Sequence, residues 1–239
     1  MRDWWIGCSG FHYKHWRNIF YPEGLAMKKW FEYYCGHFNA VELNVTFYRF
    51  PQVAFLKTFY DRSPENFRFA VKAPRGITHY KKFVDSTELM QSFYDTVNKG
   101  LKEKLGCILF QLPPRMAYSE EKLEHIICCL DPAFPNVIEF RHSSWWTDAV
   151  YKALSKQDIT FCGISHPSLP GDVIINTPLV YYRFHGTPEL YKTPYAVEFL
   201  KEVVDNIKSK RKPKDIFLFF NNDIDVNAPK NAKETQQLI

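Results

Sequence analysis

The chain has 239 residues, 46% of them hydrophobic and 17% aromatic, and a formal charge of +5 at pH 7. That is enough apolar matter for one large core, and no Pro/Gly/Ser-rich linker divides it, so a single domain is expected, as in α/β barrels of about 250 residues. The mild positive charge suits an anionic ligand without requiring nucleic acid, and no apolar run approaches the roughly 18 residues that span a bilayer.

Eight short, β-rich apolar runs follow one another, most of them ending in polar or charged residues: Trp4–Gly10, Ala40–Tyr48, Arg68–Pro74, Leu105–Pro114, Asn136–Ser144, Ile159–Ser165, Leu179–Gly186 and Asp215–Asp223. After the first comes an aromatic loop with Phe11, Tyr13, Trp16, Phe20 and Tyr21, then a helix from Pro22 to about His37. Pro51 opens a second helix to about Arg62, Ser86 a third to Lys104, and Ser119 caps a fourth to Leu130. Ser144 or Thr147 starts the fifth. Between the sixth and seventh runs Pro167, Pro170, Gly171 and Pro178 break the chain, so the sixth helix is expected to be short or missing. A long helix spans Pro194 to Lys210, and a last one begins near Pro229. Eight strands alternating with helices give a (β/α)8 barrel of TIM type, whose functional residues gather at the carboxyl ends of the strands.

Side chains alternate across a strand, so residues i and i+2 face the same way. Glu42 with Asn44, Glu139 with Arg141, and Arg183 with His185 are such pairs, and the Leu43, Phe140 and Phe184 between them suit the helix-facing side. Ser9, Lys72, Gln111, Asn221 and Asn222 stand at similar heights on other strands. Charged side chains are seldom buried unless paired, so this concentration calls for a role. Glu42 and Glu139 have two readings. They are catalytic carboxylates, as in glycosidases, or members of an internal ion-pair lattice in which Glu139 meets Arg141 or Arg183 and Glu42 meets Lys72. Lys72, Arg141, Arg183 and His185 converge as a pocket for phosphate or carboxylate, and Lys72 is alternatively a Schiff-base lysine.

His79 lies in a loop after the third strand. With His185, Glu42, Glu139 and Asp223 it offers ligands to a divalent metal, but no HxH or HExxH spacing supports one, and no cofactor is expected. Phe11, Tyr13, Trp16, Phe47, Tyr48 and Trp145 form an aromatic rim able to stack a sugar or a base, or to seal the loops. The backbone of Gly7-Cys8-Ser9-Gly10 offers N–H groups to an anion, and Cys8 is a nucleophile or a small buried hydrophobe. Six scattered cysteines without a CxxC pair read as reduced thiols of a cytoplasmic protein, and no signal peptide is expected before the first strand. The basic run Lys208 to Lys214 falls before the eighth strand, at the end opposite the site, as a solvated helix terminus.

With those residues in view, the chain resembles the YecE-like family, also called domain of unknown function 72. The resemblance rests on Gly7-Cys8-Ser9-Gly10-Phe11 with Tyr13 and Trp16, Glu42-Leu43-Asn44 with Thr46-Phe47-Tyr48, Lys72 with Pro74, and Thr78-His79. It continues through Gln111-Leu112-Pro113-Pro114, Glu139-Phe140-Arg141-His142 with Trp145, Arg183-Phe184-His185-Gly186 and Phe220-Asn221-Asn222-Asp223. It implies a TIM-type barrel with these motifs at the mouth, and no particular reaction. Val226 and Asn227 depart from the small residues or Gly that the family pattern leads one to expect.

The leading expectation is an enzyme for an anionic or polyhydroxylated small substrate, with hydrolase-like acid/base chemistry from Glu42, Glu139 and His185. Lys72, Arg141 and Arg183 would hold charge, and Ser9, Tyr13, Asn44, Tyr48, His79, Gln111, Trp145, Asn221 and Asn222 would bind or orient. The alternatives are a nucleic-acid-binding or repair-associated protein using the same pocket, and a non-catalytic binding or scaffold protein. No membrane partner is expected.

Overall fold

A computed structural model describes residues 2–239. All eight apolar runs form strands: β1 Asp3–Cys8, β2 Ala40–Leu43, β3 Arg68–Lys72, β4 Leu105–Gln111, β5 Asn136–Glu139, β6 Thr160–Ser165, β7 Leu179–Phe184 and β8 Asp215–Phe220. They make one parallel sheet in the order β1-β8-β7-β6-β5-β4-β3-β2, curled into a nearly closed barrel. Helices cover it: α1 Trp30–Cys35, α2 Val45–Tyr48, α3 Val53–Arg62, α4 Thr87–Leu101, α5 Glu120–Cys129, α6 Asp148–Ser155, α7 Val197–Ser209 and α8 Asn227–Gln236. Ser119 and Thr147 cap α5 and α6 by accepting from the backbone of Lys122 and Val150. Between β6 and β7 there is no helix. The segment there is tied down by Asn176, whose amide accepts from Phe161 N at 2.9 Å and donates to Ile159 O at 2.9 Å.

Two expected elements are shorter than the sequence suggested. The second run is strand only to Leu43, because Val45–Tyr48 coils into α2. The Thr46 hydroxyl fixes that turn, with Leu43 O at 2.9 Å and Lys72 O at 2.6 Å. The helix expected from Pro22 to His37 is a 3-10 turn at Met27–Lys29 leading into six residues of α1.

Pleating sorts the core into two. Outward residues such as Leu43, Phe140 and Phe184 join the large cluster under the helices. Inward ones, Ala40, Ala70, Cys107, Leu109, Val137, Cys162, Tyr181, Phe217 and Phe219, fill the barrel. The polar layer stands on that plug.

The seam between β1 and β2 has no ladder pairing, and side chains bridge it. Tyr34 Oη accepts from Cys8 N at 2.7 Å and donates to Ala40 O at 2.9 Å. Asn39 accepts from Ile6 N at 2.9 Å and donates to Trp4 O at 2.7 Å. Gly7 permits this approach, since a Cβ there would lie 1.9 Å from Ala40 O. All six cysteines are free thiols, and no helix among the described residues is long and apolar enough to cross a membrane.

Candidate functional site

The parallel ladders bring the polar residues level: Gln111 pairs with Glu139 across β4 and β5, and Leu43 with Val71 across β2 and β3, so Asn44 stands beside Lys72. Glu42, Glu139 and Arg183 are fully buried, and Lys72 is 9% exposed. Arg183 is the hub. Its NH2 donates to Glu42 Oε1 at 2.6 Å and its NH1 to Glu139 Oε2 at 2.5 Å. Tyr181 donates to Glu42 Oε2 at 2.5 Å, and Asn44 to Glu42 Oε1 at 3.0 Å. Glu139 is also bound by Arg141 Nε. The expected Glu42–Lys72 pair does not form, because Arg183 reaches Glu42 first.

Lys72 donates instead to the neutral Gln111 Oε1 at 2.6 Å and lies 4.2 Å from the centroid of Phe47, with no carboxylate in ion-pairing distance among the described residues. Phe47 is packed edge-on by His79, 5.0 Å away, which sits on a π-helical turn at Gly76–Lys81. His185 is fully buried. Arg141 NH2 is 3.1 Å from its Nε2 and the Asn221 side-chain amide 2.9 Å from its Nδ1. Arginine can only donate, so Nε2 accepts and the ring proton sits on Nδ1; the Asn221 amide, which has Nδ2 toward that atom, accepts the proton with its oxygen when the amide is turned over.

These contacts set the charges. Burial pushes the Glu139 carboxyl up, but Arg141, Arg183 and Lys72 overcome it and hold it at about 2. Burial opposes ionisation of Glu42 as well, and Arg183, Tyr181 and Lys72 still bring it below the usual value. Burial, then Arg183, lowers Lys72 to about 8 against the pull of both carboxylates. Burial and the neighbouring cations keep His185 neutral, its pKa well below the ordinary one, and lower His79 as well. Neither carboxylate has the raised pKa that a general acid needs at neutral pH.

Beside the polar layer a cleft of about 610 Å³ opens between the loop after β1 and helices α2 and α3. Tyr13, Asn44 and Tyr48, expected at the site, line it, as does Phe11 from the expected rim. Met27, Phe31, Phe55 and Phe59 do too, and no sequence signal had singled them out. Tyr181, the second partner of Glu42, was also missed, although it stands two residues before Arg183 on the same strand face. A second groove of about 910 Å³, with Lys82, Arg115, Met116 and Lys122, lies between the loops after β3 and β4 and contains none of the expected residues.

Some expected residues stand elsewhere. Trp145 is buried, stacked on Phe140 at 4.2 Å and donating to Met116 O at 2.7 Å, so it belongs to the loop packing and not to the rim. Trp16 is buried too, its indole held by Asp223. Asn222 turns away to Thr193 O and Asn231 Oδ1, because on β8 it is Asn221 that faces inward. The N–H groups of Cys8, Ser9 and Gly10 are taken by Tyr34 Oη, Phe220 O and Cys8 O, which leaves none for an anion. Burial pushes the Cys8 thiol well up, as for a packed hydrophobe. Ser9 keeps a buried hydroxyl without a partner. Among the described residues no three His, Cys, Asp or Glu side chains are grouped to hold a metal, and Asp223 pairs with His15 at 3.0 Å. The basic run ends in Lys214, before β8, at the end away from the mouth.

Comparison with known proteins adds relatives. A family described as protein of unknown function DUF72 matches residues 5–239. UPF0759 protein YunF of Bacillus subtilis is 26% identical over 252 residues, covering 92% of this chain and 89% of its own. UPF0759 protein YecE of Escherichia coli is 28% identical over 116 residues, covering 48% and 42%. The crystal structure of a DUF72 family protein from Thermotoga maritima superposes with a TM-score of 0.86 at 29% identity, over 99% of both chains. Another from Enterococcus faecalis gives 0.83 at 19% identity over 98% and 94%, a likeness of fold alone.

Proposed function

The chain belongs to the DUF72 family, and on that footing we propose that its barrel mouth is the active site of an enzyme for a small anionic substrate, with Lys72 as the acid–base group. One observation carries this reading. The layer holds three cations, Lys72, Arg141 and Arg183, against two carboxylates, and both carboxylates are spent on arginine. Lys72 is left with a neutral amide and a ring. A phosphate or carboxylate arriving over Lys72 and Arg141 supplies the missing negative charge. Gln111, bonded to Lys72, and Asn221, bonded to the His185 that touches Arg141, border that position and would orient its remaining oxygens.

Both carboxylates are held ionised, so the proton-transfer role moves from Glu42 and Glu139 to Lys72. Its pKa of about 8 leaves a fraction of neutral amine at pH 7. A bound anion draws a proton onto that amine, and the ammonium can return it to a leaving atom. Glu42 and Glu139 fix Arg183 and Arg141, and His185 holds Arg141 from its other side. The nucleic-acid reading, which would use the same mouth to take up a base, has less support, because Trp16 and Trp145 of the expected aromatic rim are fully buried.

Calorimetric titration with inorganic phosphate and with malonate tests the reading. Binding is expected to be full at pH 6.5, to fall as pH rises through about 8 where Lys72 loses its proton, and to weaken at least about tenfold in Lys72→Met. Affinity that is flat from pH 6.5 to 9.5, or unchanged in Lys72→Met, would sink it.

A further inference from the structure

Five of the six strands from β3 to β8 place a polar side chain of the charged layer at or just past their ends: Lys72, Gln111, Arg141, His185 and Asn221. Strand β6 supplies the sixth. Its Cys162 faces inward, the thiol 3.9 Å from Glu139 Oε2, and Ile164 is the register partner of Arg183. Two residues further on, alternation brings His166 to the same side. The contact it makes agrees: its ring meets that of His185 edge to face, with the centroids 6.1 Å apart and the planes at 75°. His166 is only half-buried, whereas His185 is fully enclosed. Its Nδ1 accepts from Ser168 N at 3.2 Å and lies 3.0 Å from Ser168 Oγ, which puts the ring proton on Nε2. Among the described residues that Nε2–H has no acceptor, and the atom keeps accessible surface. Burial, then the charge on Arg141, lowers the pKa of the ring against the pull of Glu139, so at pH 7 it is a neutral donor.

We propose that His166 is a specificity-determining residue of the mouth, and that the ligand is a small anion whose chain carries a hydroxyl or carbonyl oxygen accepting from His166 Nε2–H. This rests on the reading of Lys72 and Arg141 as the anion site and names what the rest of the molecule must offer. The strand order sets Arg141 between Lys72 and His166, so the part of a ligand that extends past Arg141 reaches His166. Three cations against two carboxylates leave one positive charge in excess, and the anionic group consumes it. A neutral imidazole draws no second negative charge. Its free N–H calls for an uncharged acceptor, and a methylene seated over it would strip off water and return nothing. The site is thereby fitted to a hydroxylated anion and discriminates against its alkyl counterpart.

Glycerol 3-phosphate and propyl phosphate match in length and charge and differ in their hydroxyls. In calorimetric titration of the full chain the glycerol ester is expected to bind about tenfold more tightly. In His166→Phe, which keeps a ring edge against His185, that advantage should fall below about twofold. A measurement on the wild-type chain stands beside the variant. With ¹⁵N-labelled histidine, the Nε2 resonance of His166 should move on adding glycerol 3-phosphate and much less on adding propyl phosphate. Equal affinity of the wild type for the two esters, an advantage that survives in His166→Phe, or an equal shift of the His166 resonance with both overturns the inference and leaves the anion site standing. Failure of the wild type to bind inorganic phosphate or either ester sinks the anion site, and the role of His166 goes with it.

Discussion

Burial works against both carboxylates at the mouth, and arginine reverses the outcome at each. For Glu139 the reversal is large, down to about 2 from an ordinary 4.5. The folded state therefore binds fewer protons than the unfolded chain between those values, and the stabilisation is full above about pH 4.5 and fades as pH falls toward 2. Glu139→Gln leaves Arg141 and half of Arg183 without an anion in a buried layer, a loss of about 3–5 kcal/mol near neutrality. Urea unfolding across the pH range is expected to show the gap between variant and wild type closing below pH 4. A gap of equal size at pH 3 and pH 7 would mean that Glu139 is not held ionised. That Glu139 meets arginine was legible from i, i+2 alternation, whereas for Glu42 the sequence pointed to Lys72 and the structure puts Arg183 there. Which arginine meets which glutamate was not legible, since Arg183 sits 141 residues from Glu42 in sequence and only barrel closure sets them side by side.

Elements were read well where periodicity and caps agreed, as at α5 and α6, and less well where a strand had to stop. Ala40–Tyr48 reads as one β-prone run, yet it turns helical at Val45 because Thr46 finds acceptors on Leu43 and on neighbouring β3. That second partner is invisible in the local sequence. The reverse case is the end of α4. Lys102 follows the helix with φ 49 and ψ −130, a conformation suited to glycine. Its side chain is exposed, and its one aromatic contact is the Tyr60 ring at 5.3 Å. Lys102→Gly is therefore expected to stabilise the protein by about 1 kcal/mol, seen as a rise in melting temperature of about 2–4 °C. A lower melting temperature would show that the Tyr60 contact outweighs the backbone strain. Val226, noted in the sequence as a departure from small residues, stands at φ 58 just before α8 and so occupies a left-handed position with a β-branched side chain.

For the whole molecule the decisive feature is the β1–β2 seam. The remaining neighbouring strands pair through backbone ladders, whereas this seam is closed by the side chains of Tyr34 and Asn39. Removing one hydroxyl strands a buried donor on Cys8 and a buried acceptor on Ala40, at about 1–3 kcal/mol for each group. Tyr34→Phe is accordingly expected to cost about 2–4 kcal/mol, and the Cys8 amide should exchange with solvent faster while the Cys107 amide on β4 does not. Unchanged exchange at Cys8 would show that the seam holds without Tyr34. The aromatic cleft opens above this same junction, between the loop after β1 and α2, so the loosest closure of the barrel and its largest ring-lined opening are adjacent.

The sequence by itself determined the alternation of strands and helices, the lack of a helix between β6 and β7, the inward set of polar residues and the family pattern they form. Those follow from periodicity and spacing, which are local. Only the tertiary structure decided that Arg183 takes both glutamates, that Lys72 is left unpaired, that Trp145 and Asn222 turn away from the mouth, and that α1 and α3 lend rings to a cleft. Each of these depends on which distant strand or helix is the neighbour, and that distance is fixed by closing the barrel.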